Sequence, residues 1–131
     1  VVAVGKRVVP KPETPDDAVR ALRLRSGRAH HVYTAVALTS PSGRTSSRVV
    51  DTKVRFKRLT REDIETYIAS AEWRGKAGAY AIQGRAEAFV RALSGSHSGV
   101  VGLPLYETVM LLQGAGYPVY QSWMDQAAEL P

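Results

Sequence analysis

The run His31-Val32-Tyr33-Thr34-Ala35-Val36-Ala37-Leu38-Thr39, the turn Pro41-Ser42-Gly43-Arg44 and the run Ser47 to Phe56 decide the fold. β-Branched and aromatic residues fill the first run, turn formers fill the second segment, and the third resumes the β-rich pattern, which predicts a long hairpin. In the returning arm Val50, Thr52, Val54 and Phe56 alternate with Asp51, Lys53, Arg55 and Lys57. Successive strand side chains point to opposite faces, so one face is buried and the other is wet and mostly basic. Solvation alone accounts for those cations.

Toward the N-terminus, Val1-Val2-Ala3-Val4, the turn Gly5-Lys6-Arg7 and Val8-Val9 predict a second, short hairpin. A hairpin that starts on the first residue reads as part of a sheet whose earlier strands lie outside this sequence. Pro10-Lys11-Pro12 is an extended loop, because each proline disfavours helical backbone in the residue before it. Thr14-Pro15-Asp16-Asp17 is a helix start with Thr as N-cap, Pro at the first position and two acids in the first turn. Val19, Leu22 and Leu24 are expected to face inward, and Ser26-Gly27 to end the helix. Arg20, Arg23 and Arg25 read as a solvated basic face.

Toward the C-terminus, Thr60 caps a predicted helix running to about Ser70, with Ile64, Tyr67 and Ile68 inward. Residues 72–84 read as glycine-punctuated loop. Arg85 to Leu93 is a short amphipathic helix or strand with Ala86, Phe89, Val90 and Leu93 on its apolar side. Val100-Val101-Gly102-Leu103 reads as a buried strand end, Pro104 opens a helix through Leu112, and the tail after Tyr117 is expected to be peripheral. Strands interspersed with helices make the chain α/β or α+β, a single domain over residues 1–131.

Composition narrows the chemistry. There are no cysteines among the 131 residues, which excludes disulfides, Cys-ligated zinc and a thiol nucleophile, and three histidines leave little for a His-rich metal site. No apolar run approaches the ~18 residues of a membrane span, and no signal-peptide pattern opens the chain, so the expected location is the cytoplasm. The net charge of +6 is uneven. Residues 1–60 hold 13 Lys/Arg against 4 Asp/Glu, whereas residues 61–131 hold 5 against 8. The basic half could meet a polyanion: nucleic acid, membrane phosphates or a phosphorylated small molecule.

The segment richest in chemical possibility is Glu72-Trp73-Arg74-Gly75-Lys76-Ala77-Gly78-Ala79-Tyr80-Ala81-Ile82-Gln83-Gly84. Its small residues let a ligand approach the backbone closely. Lys76 supplies a cation, Glu72 a carboxylate and Gln83 an amide that both donates and accepts, as the imide edge of uracil or thymine requires. Glycine-rich backbone with a lysine suits phosphate, although the spacing is not that of a P-loop. The plainer alternatives are a Glu72–Lys76 surface pair and a turn-capping Gln83. Lys11, held between prolines, is a second candidate for an anion, against the alternative of an exposed linker lysine. His30 and His31 point to opposite strand faces and cannot chelate one ion. His97 sits in a Gly/Ser segment, and Ser94, Ser96 and Ser98 have no adjacent base. Asp16-Asp17 and Glu62-Asp63 suit helix starts better than metal.

Lys76 to Gly84, followed by Gly95-Ser96-His97-Ser98-Gly99-Val100-Val101-Gly102-Leu103-Pro104-Leu105, closely resembles the Maf (septum-formation) family of nucleoside triphosphate pyrophosphatases. Ser26-Gly27-Arg28 with His30, Val32 and Thr34, the Thr52-x-Val54-x-Phe56 strand and Pro10-Lys11-Pro12 add further matches, and the resemblance extends from Val1 to about Gly116. It implies a three-layer α/β/α fold with an elongated mixed sheet, a cleft between two lobes, and a homodimer. It further implies hydrolysis of nucleotides between the α and β phosphates with a divalent ion, Mg²⁺ or Mn²⁺. The Ile-Gln-Gly wording resembles the branch acting on dTTP and UTP, with modified pyrimidine nucleotides also in view. By resemblance Gln83 is the base-specificity residue, Lys11 faces phosphate and Lys76 is the loop lysine, with Glu72 as a further substrate contact.

The family's S-x-S-P-R-R motif, its D-E pair and the catalytic aspartate of G-A-D-T have no counterpart here, and His97 stands where an aromatic is usual. The expectation is therefore that this sequence is the C-terminal two-thirds of a fold of about 200 residues, with no catalytic residue or metal ligand identified in it. Two readings compete: a pyrimidine-nucleotide pyrophosphatase, and a catalytically inactive fragment or binding module, such as a basic subunit of an RNA-containing assembly. The first makes nucleic acid an unlikely partner and a nucleoside triphosphate the expected one.

Overall fold

The long hairpin forms over its whole length in the computed structural model, which describes residues 1–129. Strands β3 (Ala29–Thr39) and β4 (Thr45–Phe56) pair antiparallel from Ala29 opposite Arg55 to Thr39 opposite Thr45. The turn closes through Ser40 N–H to Arg44 O at 2.8 Å and Gly43 N–H to Ser40 O at 2.9 Å, with Gly43 at φ +87°. Strands β1 (Val2–Val4) and β2 (Arg7–Val9) make the short hairpin, turning on Gly5 at φ +56°. With β5 (Val90–Ser94) the order is β2-β1-β3-β4-β5, and every pairing among the described strands is antiparallel.

Helix α1 (Pro15–Arg25) starts where expected. Thr14 Oγ1 accepts from Asp17 N–H while the Asp17 carboxylate accepts from Thr14 N–H, a full capping box. Thr60 and Asp63 repeat that arrangement at the start of α2 (Arg61–Ala69). These reciprocal bonds draw both carboxyls below the usual carboxylate range, chiefly through the backbone N–H donors of Glu13 to Asp17 and of Thr60 to Asp63. The acids at both helix starts thus serve the helices.

Three elements differ from expectation. Val100-Val101 belongs to a short helix, α3 (His97–Val101), capped by Ser96 Oγ accepting from Gly99 N–H at 2.9 Å. A short apolar run cannot by itself distinguish strand from helix, and Val101 and Leu103 prove exposed. Arg85 to Leu93 divides into a 3-10 turn over Arg85–Phe89 and strand β5. The peripheral tail forms helix α5 (Val119–Glu129), reached after α4 (Leu105–Gly114), and exposes Tyr120, Trp123 and Met124.

The core lies on one sheet face. Val2, Val9, Val32, Val54 and Phe56 pack against Ala18, Ala21 and Leu22 of α1 and Ile64 and Tyr67 of α2. Farther along the same face, Thr34 Oγ1 donates to Gly99 O at 2.7 Å, which seats α3 on the sheet. The opposite face presents Tyr33, Ala35, Ala37, Val49 and Lys53 to solvent, and among the described residues it carries no helix. The architecture is a mixed α/β domain of one antiparallel sheet with helices on one side. No helix among the described residues is long and apolar enough to cross a membrane.

Candidate functional site

A cleft of about 680 Å³ opens where β3 runs past the end of β1. Strand β1 pairs with β3 only through Val2 opposite Val32 and Ala3 opposite His31, so β3 has a free edge beyond Tyr33. Residues of the 76–83 loop line the cleft on one side and Gly99 to Gly102, from α3 and its C-cap, on the other, together with Val2, Tyr33, Thr34 and Val49 about the strand edge. Lys76 and Gln83 both line it, seven positions apart along the loop and on either side of Tyr80. The structure brings these two candidates together.

The loop is held by its backbone. Gly78 takes φ +67° and Ala79 takes φ +72°, two left-handed residues in succession. For alanine this conformation costs about 1 kcal/mol or more and persists only when its surroundings impose it. Tyr67 Oη donates to Ala79 O at 2.8 Å, Arg25 Nη2 donates to Gly78 O, and Gly78 N–H donates to Pro10 O at 3.3 Å. Tyr80, between the two candidates, shares a 2.6 Å hydrogen bond with His30 Nε2 beneath the cleft.

Arg25 corrects the solvated-helix expectation: its side chain is wholly buried. Ala18, Ala21, Leu22 and Arg25 form one stripe at helical spacing, and it is this stripe that faces the core. Val19 and Leu24 are only half-buried at its margins. Arg25 Nε donates to Ala21 O at 2.9 Å, and the guanidinium lies 5.3 Å from the Phe56 ring centre and 5.1 Å from that of Tyr80. Among the described residues no carboxylate pairs with it and Nη1 has no partner. Burial draws its pKa down to about 10 and that of His30 down to about 3, with Arg25 as the second cause for His30. Burial also lifts the Tyr80 phenol to about 12. At neutral pH the cluster is therefore one buried cation, a neutral imidazole and a protonated phenol.

Glu72 stands apart from the cleft. Its Oε1 accepts from Arg85 N–H at 2.7 Å and its Oε2 from Arg85 Nη1 at 2.9 Å, so the carboxylate ties the two ends of the 72–85 segment together. The Arg85 guanidinium holds it below the usual carboxylate range. Gly84 is required there, since a Cβ would collide with Glu72 Oε1. Among the described residues no Glu72–Lys76 pair forms, and Glu72 pairs with Arg85 instead.

Lys11 lines a different cleft, of about 700 Å³, between β2, the proline loop and α1. Arg7, Arg20, Arg23 and Arg28 surround it, with Glu13 and Asp17 the acids present. The Gly78–Pro10 backbone bond ties the loop of the first cleft to the proline loop of the second, one residue from Lys11. His97 and Ser96 line a third depression with Asp51 and Glu107. His31 faces away from His30 and pairs with Asp51 at 2.7 Å. Among the described residues no three His, Asp or Glu side chains group to hold a metal ion, and no carboxylate lines the cleft of Lys76 and Gln83. A hard divalent cation prefers carboxylate oxygen, so these residues do not make a site for Mg²⁺ or Mn²⁺.

Sequence reasoning missed Arg25, His30, Tyr67 and Tyr80 as the frame of the loop. The helical phase of residues 18, 21, 22 and 25 carried a signal for Arg25; the left-handed backbone of Ala79 carried none.

The family model for Maf-like proteins matches residues 1–115. The chain is 59% identical over 124 residues to a dTTP/UTP pyrophosphatase of Mesorhizobium japonicum, covering 95% of this chain and 60% of that protein. It is 58% identical over 125 residues to the dTTP/UTP pyrophosphatase of Rhodopseudomonas palustris strain HaA2, and 57% identical over 125 residues to that of Rhizobium meliloti strain 1021. Coverage is again 95% of this chain, and 60% and 61% of those relatives. The chain belongs to the Maf family. It spans about 60% of the length of the relatives it matches.

Proposed function

We propose that the protein is a nucleoside triphosphate pyrophosphatase that hydrolyses dTTP and UTP, and related modified pyrimidine nucleotides, to the monophosphate and pyrophosphate. The observation that carries this reading is the meeting of Lys76 and Gln83 on one wall of one cleft. The Gln83 amide can donate to a pyrimidine carbonyl and accept from the ring N–H beside it. Lys76 supplies positive charge for the phosphates, and Gly99 of α3 and Gly102 just after it admit the ligand close to the backbone. Lys11, in the neighbouring basic cleft, is assigned to the phosphates in this reading on its charge and its tie to the loop through Pro10. Glu72 acts on substrate only indirectly in this reading, by fixing the loop.

No group within the cleft is assigned as general base, and no step is routed through a metal, because the described residues offer neither a carboxylate there nor a ligand cluster. The names of the relatives support the substrate class. A homodimer, a cytoplasmic location and a three-layer α/β/α architecture with a mixed sheet belong to the same proposal, the bare sheet face with Tyr33 and Val49 being where a third layer would pack.

Pyrophosphate release by the intact gene product, measured with dTTP, UTP, ATP and GTP, tests the reading. Release from the two pyrimidine nucleotides is expected, and Gln83→Ala should lower their preference over purines by about tenfold or more, as loss of a base-reading hydrogen bond does. No release from any of the four rejects the activity. An unchanged preference in the variant removes the role of Gln83. The ring of exposed cations around Lys11 favours a second reading, a polyanion-binding module. RNA affinity falling steeply with salt, without hydrolysis, is its signature.

A further inference from the structure

We infer that Arg25 is a positioning residue for the cleft: its buried guanidinium fixes the left-handed Gly78–Ala79 turn and so sets the two ends of the loop that carry Lys76 and Gln83. Only the identity of the ligand rests on the proposed function; the device itself is read from geometry. Arg25 is wholly buried and forms none of the ion pairs among the described residues. Its partners are two carbonyls and two aromatic rings: Ala21 O on its own helix, Gly78 O on the loop, Phe56 beneath and Tyr80 of the loop itself.

The contacts converge on the loop from one point. One donor reaches the carbonyl of the first left-handed residue, and the same planar group stacks on the ring two residues later. A Cβ at Gly78 would lie 2.8 Å from Nη1, so the turn and the guanidinium are fitted to one another. Tyr67 holds the second left-handed carbonyl, of Ala79, at 2.8 Å. Lys76 precedes this pinned turn and Gln83 follows it, and both line the cleft. A buried cation without a counter-ion is costly to keep, and an apolar residue at that place on the stripe would pack without that cost. What the guanidinium adds that a leucine or methionine could not is the hold on Gly78 O and Tyr80.

Hydrogen exchange on the protein, comparing wild type with Arg25→Met and Arg25→Lys, reads the device directly. In Arg25→Met the amides of residues 77–84 should exchange about tenfold faster or more while those of β3 and β4 keep their protection, because only the loop loses its anchor. Arg25→Lys should fall between, since an ammonium can reach one carbonyl but cannot also reach the other from the same place between the two rings. Wild-type loop protection in a folded Arg25→Met protein overturns the inference. If that variant does not fold, wild-type protection in Arg25→Lys overturns it instead. Steady-state turnover of dTTP adds a second test: KM should rise about tenfold in Arg25→Met with kcat within about threefold, the pattern of lost substrate positioning. A fall in kcat at unchanged KM would contradict it. Lack of turnover in the wild type counts against the proposed activity, and the exchange rates then decide the role of Arg25 alone.

Discussion

Two clefts of nearly equal volume, about 680 and 700 Å³, each hold one lysine brought forward by the sequence, and they are built in opposite ways. Around Lys76 and Gln83 charge is sparse, and the wall is backbone pinned from below by Arg25, Tyr67 and the His30–Tyr80 pair. Around Lys11 charge is dense, and the wall is a capped helix and a proline-stiffened loop whose cations reach into water. The first cleft is precise because few groups are free to move; the second is attractive to anions but selects weakly among them. The proposed function gives base recognition to the first and long-range attraction of phosphate to the second.

The largest effect should come from the lysines. Removing Lys76 from the pinned loop is expected to lower kcat/KM for dTTP about a hundredfold, the scale of losing one preorganised charged contact, whereas Lys11→Ala should cost about tenfold. Pyrophosphate release at fixed ionic strength separates them. Equal losses would mean that the clefts act as one site, and a larger loss at Lys11 would reverse their assignment.

Next is Gly84→Ala. The new methyl must displace the Glu72 carboxylate from Arg85, and overpacking of this kind costs about 2 kcal/mol. Thermal denaturation should show that loss, and turnover at low dTTP concentration should fall with it as the loop end comes free. A variant as stable as wild type would show that the Glu72–Arg85 tie does not secure the loop.

How far these two regions were legible follows from how each is built. The second cleft is local: Thr14-Pro15-Asp16-Asp17 announces its helix, and Pro10 and Pro12 announce its stiff loop, because capping and proline geometry act over four residues or fewer. The long hairpin was equally open to reading from its alternation. The first cleft depends on contacts across 53 residues, as between Arg25 and Gly78, and 50, as between His30 and Tyr80. Its Gln83 and Lys76 are candidates from their own chemistry, strengthened by resemblance, and nothing in their spacing shows that they share a wall. Arg25 was misread because charge suggested solvent more loudly than helical phase suggested core. The short helix at His97–Val101 was misread because its five residues are too few to display a period.

The buried side of the first cleft should also give the protein a pH response. His30 has its pKa lowered to about 3 in the folded state against 6.5 when exposed, so folding excludes its proton. That contribution is complete above pH 6.5 and is lost as pH falls toward 3, with a limiting slope of about 1.4 kcal/mol per pH unit. The carboxyls held low, Asp17, Asp63 and Glu72, act below their ordinary range near pH 4, so urea unfolding between pH 6.5 and 5 isolates the histidine. His30→Gln should flatten the slope across that interval. An unchanged slope would place the acid response elsewhere.

The smallest effect is expected in the second cleft, and it tests the contrast from the other side. Arg23 shares helix α1 with Arg25 and stands two residues from it, yet it is exposed and none of the described ion pairs includes it. Solvated cations of this kind contribute little to stability, so Arg23→Ala should move the melting temperature by no more than about 2 °C. Its effect should appear only in long-range attraction: a modest rise in KM for dTTP at low salt that fades as added salt shortens the Debye length to about 8 Å near 0.15 M. Arg25→Met should give a KM change that persists at the same salt, because a buried contact with Gly78 O is not screened. Identical salt dependence for the two variants would erase the distinction between a cleft that positions and a cleft that attracts.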